Sequence, residues 1–204
     1  MPVETWIAFL AAASVMLLIP GPTILLVIGQ SLGGGRRAAL PLVAGVAAGD
    51  LVAMTFSLAG LGALLAASAA LFTALKLIGA AYLCYLGLKL WRAPVETMAA
   101  APLAARDACR QAFLVTALNP KSIAFFVAFV PQFLDAGRPF LPQAAILVAS
   151  FVTLAALNAL LYALAAGRLS GTVRRPGVRR TLNRLGGGVL IGAGLATATL
   201  RRAG

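Results

Sequence analysis

The chain has no histidine, only two cysteines and only five acidic residues among its 204. Without histidine it lacks the usual general base and the commonest metal ligand, which excludes Ser-His hydrolysis and His-rich metal sites. Cys84 stands inside an apolar run and Cys109 among charged residues. Two such isolated thiols give neither a disulfide framework nor a Cys-x-x-Cys redox pair. No nucleophile and base are paired, so the chain reads as a non-enzyme without a cofactor. Charge is scarce too: 11% of residues are charged and 61% hydrophobic, against about 25% and about 45–50% in a soluble domain. Water is therefore not the main solvent of this fold.

What fills the chain instead is a series of tracts long enough to cross hydrocarbon, which takes about 20 apolar residues. Thr5 to Gly35 holds no charge, and between Arg37 and Lys76 the only charge is Asp50. The tracts predict six spans: Trp6–Ser31, Ala38–Leu65, Leu71–Leu90, Ala112–Phe133, Leu141–Ala166 and Leu182–Leu200. They lack the alternation of a barrel strand, and backbone in lipid must satisfy its own hydrogen bonds, so they are helices. The expected class is an all-α polytopic membrane bundle. Met1 to Trp6 carries Glu4 and no basic residue, so the first helix is expected to be retained rather than cleaved as a secretory signal.

A net charge of +12 would suggest a nucleic-acid partner in a soluble protein, but its distribution argues against one. Basic residues gather after spans one, three and five: Arg36 and Arg37; Lys89, Arg92, Arg106 and Arg110; then Arg168, Arg174, Arg175, Arg179, Arg180 and Arg184. Only Arg138, Arg201 and Arg202 fall on the other side. Positive residues stay cytoplasmic, which places both termini outside, with the cluster at 174–180 touching anionic lipid.

Residues 93–108, with Pro94 and Pro102, divide the chain into halves 1–92 and 109–204 of three spans each. The second half then enters the membrane from the opposite face, an inverted repeat common in secondary transporters. At an offset of 108, Lys76 to Gly79 echoes Arg184 to Gly187 and Asp50 falls opposite Asn158.

Four features carry candidate chemistry. Pro20-Gly21-Pro22 breaks the first span, since each proline removes a donor and glycine permits unusual torsions. Asn119-Pro120-Lys121 breaks the fourth, and a pair of broken spans in corresponding positions points to a site between repeats. Pro20 and Pro120 differ by 100 positions, a register that departs from 108. Asp50, the only acid in any span, lies about 18 Å along its helix from the cytoplasmic end and must pair, neutralise or border water. Its competing reading is a fixed ion pair with Lys76 or Lys121. Lys121 lies about 15 Å from its cytoplasmic helix start and Lys76 about 8 Å from its outer end; both are long enough to snorkel. Gly45 with Gly49, and Gly188 with Gly192, read as packing pairs, and Tyr82, Tyr85 and Trp91 as interface anchors.

In order and spacing, Pro20-Gly21-Pro22, Gly45 to Asp50, Lys76 to Gly87, Asn119-Pro120-Lys121 and Pro131-Gln132-Phe133 resemble the lysine exporter / homoserine-threonine resistance family of amino acid efflux proteins. The resemblance implies a bacterial inner-membrane exporter of amino acids or close derivatives, driven by proton antiport. It carries a substrate-binding and coupling site onto Pro20, Gly21, Pro22, Asp50, Asn119, Pro120 and Lys121, together with Lys76 and Asn158. The partners are then the amino acid, protons and the bilayer, and a homo-oligomer is compatible with this. The rivals are an exporter of metal ions or another small solute on a related scaffold, which sparse acids and absent histidines disfavour, and a membrane accessory protein without transport. In that last case the buried charges would be an unexplained cost.

Overall fold

A computed structural model describes residues 1–34, 38–67, 69–92, 103–135 and 137–173, with individual positions between 177 and 198. The described residues are almost entirely helical and contain no strand. Among the described residues seven continuous helices follow in order: α1 Val3–Leu18, α2 Pro22–Gly34, α3 Ala39–Ala67, α4 Ala69–Trp91, α5 Ala105–Ala117, α6 Pro120–Ala128 and α7 Phe140–Val173. A 3-10 turn, Val130–Phe133, closes α6. The predicted sixth span lies largely outside the described residues; those described within it are helical.

Among the described residues two helices are long and apolar enough to cross a membrane alone, α3 over Ala39–Gly60 and α7 over Phe140–Ala166. The predicted first and fourth spans are each two helices, α1 with α2 bent by 54° and α5 with α6 bent by 42°. One steric rule explains both breaks. The residue before a proline is driven out of the α region, and Ile19 before Pro20 (ψ 113°) and Asn119 before Pro120 (ψ 110°) are both extended. Pro22 and Pro120 then take the first position of α2 and α6, where a missing N–H costs nothing because that donor has no intrahelical partner. The prolines therefore start the second half-helices. Pro22 holds in α2 the first position that Pro120 holds in α6, whereas Pro20 lies before α2.

α3 occupies the centre, packed on α5, α6 and α7, while α2 and α1 lie against α7 and α4 against α6. The α3–α5 contact is set by glycine. A Cβ on Gly45 would strike the Cys109 carbonyl and Ala112, and one on Gly49 would meet Thr116 and the Phe113 carbonyl. Small residues here let backbones approach, as the spacing predicted. The other proposed pair is corrected: Gly187, not Gly188 with Gly192, makes the close approach. Its Cβ would lie 2.5 Å from the Gly87 carbonyl, whereas Gly192 has nothing within 4 Å among the described residues. α5 begins at Ala105, inside the tract read as a connection, because Asp107 suits a first turn and Ala108 is buried.

The two larger apolar clusters form most of the core among the described residues. Phe9, Met16, Met54, Phe125, Phe126 and Phe151 join α1, α3, α6 and α7. Val27, Leu42, Val46, Ala112 and Ala159 join α2, α3, α5 and α7. On α4, by contrast, Tyr82, Tyr85 and Trp91 are exposed, and the two tyrosine rings stack at 5.9 Å.

Candidate functional site

Where the two clusters meet, the broken ends of α1, α2 and α6 converge on a small cavity walled by α3 and α7. Its lining includes Met16, Gly21, Thr23, Asp50, Asn119, Lys121, Ser122 and Asn158. Five residues singled out from the sequence are therefore brought together: Gly21, Asp50, Asn119, Lys121 and Asn158. Asp50 and Asn158, paired by the 108-residue echo, reach the cavity from α3 and α7. Pro20, Pro22 and Pro120 do not line it and act by shaping the backbone beside it. The side chain of Lys76, on α4, lies outside the described residues.

The buried polar groups are satisfied in a definite order. Asn119 caps α6: its Oδ1 accepts from the Lys121 backbone N–H at 3.0 Å, which satisfies one orphan donor of the first turn. Its Nδ2 donates to Thr23 Oγ1 at 3.1 Å, and Thr116 Oγ1 donates to the same oxygen at 3.2 Å. Three helices, α2, α5 and α6, are thus tied at one hydroxyl.

Lys121 does not snorkel. It is 7% exposed, and its Nζ donates to the carbonyls of Met16 at 3.0 Å and Ile19 at 2.7 Å. Both belong to the C-terminal turn of α1, where the helix dipole favours a cation and carbonyls lack intrahelical partners. Gly21 makes room for the stem, since a Cβ there would lie 3.3 Å from the lysine Cδ. Asn158 Nδ2 donates to the Leu17 carbonyl at 3.0 Å and Tyr162 Oη to the Leu18 carbonyl at 2.9 Å.

Asp50 is 3% exposed and, among the described residues, forms no ion pair within 4 Å; the one such pair there is Asp135 with Arg138, at the tip between α6 and α7. Its Oδ1 is buried without a hydrogen-bond partner among the described residues. A fixed ion pair with Lys121 is thereby ruled out in this conformation. The two side chains instead line a shared cavity. That cavity has space for about one water, so admitting anything larger requires the walls to move. A buried carboxylate with an open valence, an ammonium held by backbone and a contractible space make an arrangement able to bind a small zwitterion or pass a proton.

Sequence reasoning missed Thr23, Thr116, Ser122 and Tyr162. Thr23 and Ser122 follow the two proline breaks immediately, a usable signal. Thr116 and Tyr162 carry none, because their roles depend on which helices become neighbours. Gln132, of the Pro131-Gln132-Phe133 motif, donates its Nε2 to the Ala128 carbonyl at 3.3 Å, where it helps to close α6.

Comparison with known proteins identifies relatives of this chain. The profile of the LysE type translocator family matches residues 14–200. An uncharacterized membrane protein of Vibrio cholerae is 36% identical over 204 residues, covering 98% of this chain and all of that protein. A homoserine/homoserine lactone efflux protein of Salmonella typhimurium is 33% identical over 204 residues, covering 97% and 98% of the two chains. A leucine efflux protein of the same organism is 34% identical over 139 residues, 64% of each chain. No solved structure gives a significant match. With a family match over nearly its whole length and relatives that align end to end, the chain belongs to the LysE type translocator family.

Proposed function

We propose that this protein is a secondary transporter that exports amino acids or close derivatives from the cytoplasm in exchange for protons. The observation that carries the proposal is Asp50: a buried carboxylate with an unpartnered oxygen, facing Lys121 across a cavity built from broken helices. An ionisable group at membrane depth marks a substrate or proton path by default. The names of the relatives add chemistry. Homoserine, its lactone and leucine all carry an α-amino group, whereas the lactone has no free carboxylate. The common element is therefore an ammonium, which suits Asp50.

In this mechanism Asp50 holds either a proton or the substrate ammonium, never both, and that exclusion couples the two fluxes. Lys121 has three N–H donors, two of which serve α1 carbonyls, leaving the third for a substrate carboxylate when one is present. The starts of α2 and α6, beside Gly21 and Asn119, reinforce this subsite through their positive dipole ends. Two halves of inverted orientation rock about the site to expose it to each side in turn. Both termini lie outside in this arrangement, with the arginine-rich segment in the cytoplasm.

The test uses cells lacking the gene, complemented with the natural chain or with Asp50→Asn, loaded with dipeptides and followed for each amino acid released. The natural chain is expected to restore efflux of at least one amino acid, and Asp50→Asn to abolish it while remaining in the membrane. Full efflux by Asp50→Asn would remove this carboxylate from the mechanism. Equal retention of every amino acid with and without the gene would end the exporter reading.

A further inference from the structure

The C-terminal turn of α1 is closed in an unusual way. In a continuous helix the Met16 and Leu18 carbonyls would accept from the N–H groups of residues 20 and 22, but both are proline and have none. The extended conformation of Ile19 takes the remaining partners out of line. Four successive carbonyls at membrane depth are thus deprived of backbone donors, each a costly loss in a medium without water. All four accept from side chains of the second half of the chain. Met16 and Ile19 take Lys121 of α6, Leu17 takes Asn158 of α7, and Leu18 takes Tyr162 of α7, at 2.7–3.0 Å.

Asn158 and Tyr162 are four residues apart, so they share a face of α7 and grip adjacent carbonyls. At the matching end of α5 the Leu118 and Asn119 amides donate to the Leu114 and Thr116 carbonyls, and among the described residues no side chain of the first half is bonded to a carbonyl there. Any motion that separates the halves must therefore uncap α1 and need not uncap α5.

We infer that Lys121, Asn158 and Tyr162 form a latch on the end of α1 that holds the cavity contracted, and that Tyr162 is a positioning residue for transport. Tyr162 does not line the cavity, so it acts through the Leu18 carbonyl and not on substrate. This deepens the transport reading, and it is tested without substrate, so failure of the latch and failure of the amino acid assignment are separate results.

The reporter is Ser122→Cys, a near-isosteric change on the cavity wall, in a chain whose Cys84 and Cys109 are replaced by alanine. The reconstituted protein is exposed on both sides to a membrane-impermeant thiol reagent and the labelling rate is measured. Adding Tyr162→Phe removes one oxygen and one hydrogen bond, which should raise the labelling rate about 2- to 10-fold, the population shift that a single hydrogen bond commands. Asn158→Leu, on the next carbonyl, should act in the same direction and decides the matter if Tyr162→Phe does not accumulate. Leu161→Ala, on an exposed position of the same helix, should leave the rate unchanged. Parental labelling rates in both latch variants would overturn the inference. So would equal acceleration by Leu161→Ala, which would mean that any change in α7 loosens the bundle.

Discussion

Two glycines of α3, Gly49 and Gly60, offer a matched test of how closely the helices must approach for the site to form. At Gly49 an added Cβ would lie 2.7 Å from Thr116 Cβ, 2.8 Å from the Phe113 carbonyl oxygen and 3.0 Å from the Ala117 nitrogen. Carbon contacts are comfortable at about 3.5–4.0 Å, so the overlap approaches 1 Å. Two of the three obstacles are backbone, which cannot rotate aside. α5 would have to retreat, and overpacking of this kind costs about 1–3 kcal/mol. At Gly60, in the same helix, nothing lies within 4 Å among the described residues. There the same substitution meets no neighbour and removes glycine's entropic penalty of about 0.5–1 kcal/mol. For a chain of this size 1 kcal/mol moves the melting temperature by about 2–4 °C. Gly49→Ala should therefore melt about 2–12 °C below the natural protein in detergent, and Gly60→Ala at or slightly above it. Retreat of α5 also draws Thr116 away from Thr23, so Gly49→Ala should lose efflux out of proportion to its expression. Equal melting temperatures for the two variants would refute the close-approach argument.

Other outcomes follow from single side chains. Asn119→Ala removes the α6 cap and the Thr23 bond and should lower stability by about 0.5–2 kcal/mol; Asn119→Asp keeps the cap acceptor but not the donor and should fall between, as thermal unfolding can measure. Lys121→Met leaves the Met16 and Ile19 carbonyls without their donor, at about 1–3 kcal/mol for each group left unsatisfied; efflux should disappear, and efflux retained by that variant would exclude a role for the ammonium. Pro120→Ala should cost under about 1 kcal/mol, since a proline at the first helical position gives up no hydrogen bond; a large drop in melting temperature would return Pro120 to the role of helix breaker.

The tendency to cross lipid, the helical class and the places where spans break are properties of local sequence. Uncharged runs such as Thr5 to Gly35 have one low-energy solution in hydrocarbon, a helix that satisfies its own backbone. The steric rule before proline acts between neighbours, so Ile19 and Asn119 are extended wherever the chain goes. Asp50 and Lys121 stood out for a similar reason, because a charge within an apolar run is conspicuous without any knowledge of the fold. The function of each break was less legible. Read as a lost hydrogen bond, Pro120 looked like damage within a helix; in the fold it opens α6, because the chain had already turned at Asn119.

Partnership, in contrast, was decided in three dimensions. Nothing in the sequence tells Lys121 to spend its ammonium on the carbonyls of Met16 and Ile19, more than a hundred residues away, instead of on Asp50 or the membrane surface. That choice depends on α6 lying against the end of α1, on Gly21 leaving room for the lysine stem, and on α7 bringing Asn158 and Tyr162 to the next two carbonyls. Composition and local sterics fix what a segment must become, because they act over a few residues. Which buried donor meets which buried acceptor is settled only when distant helices pack, because a hydrogen bond is made or lost within a few tenths of an ångström.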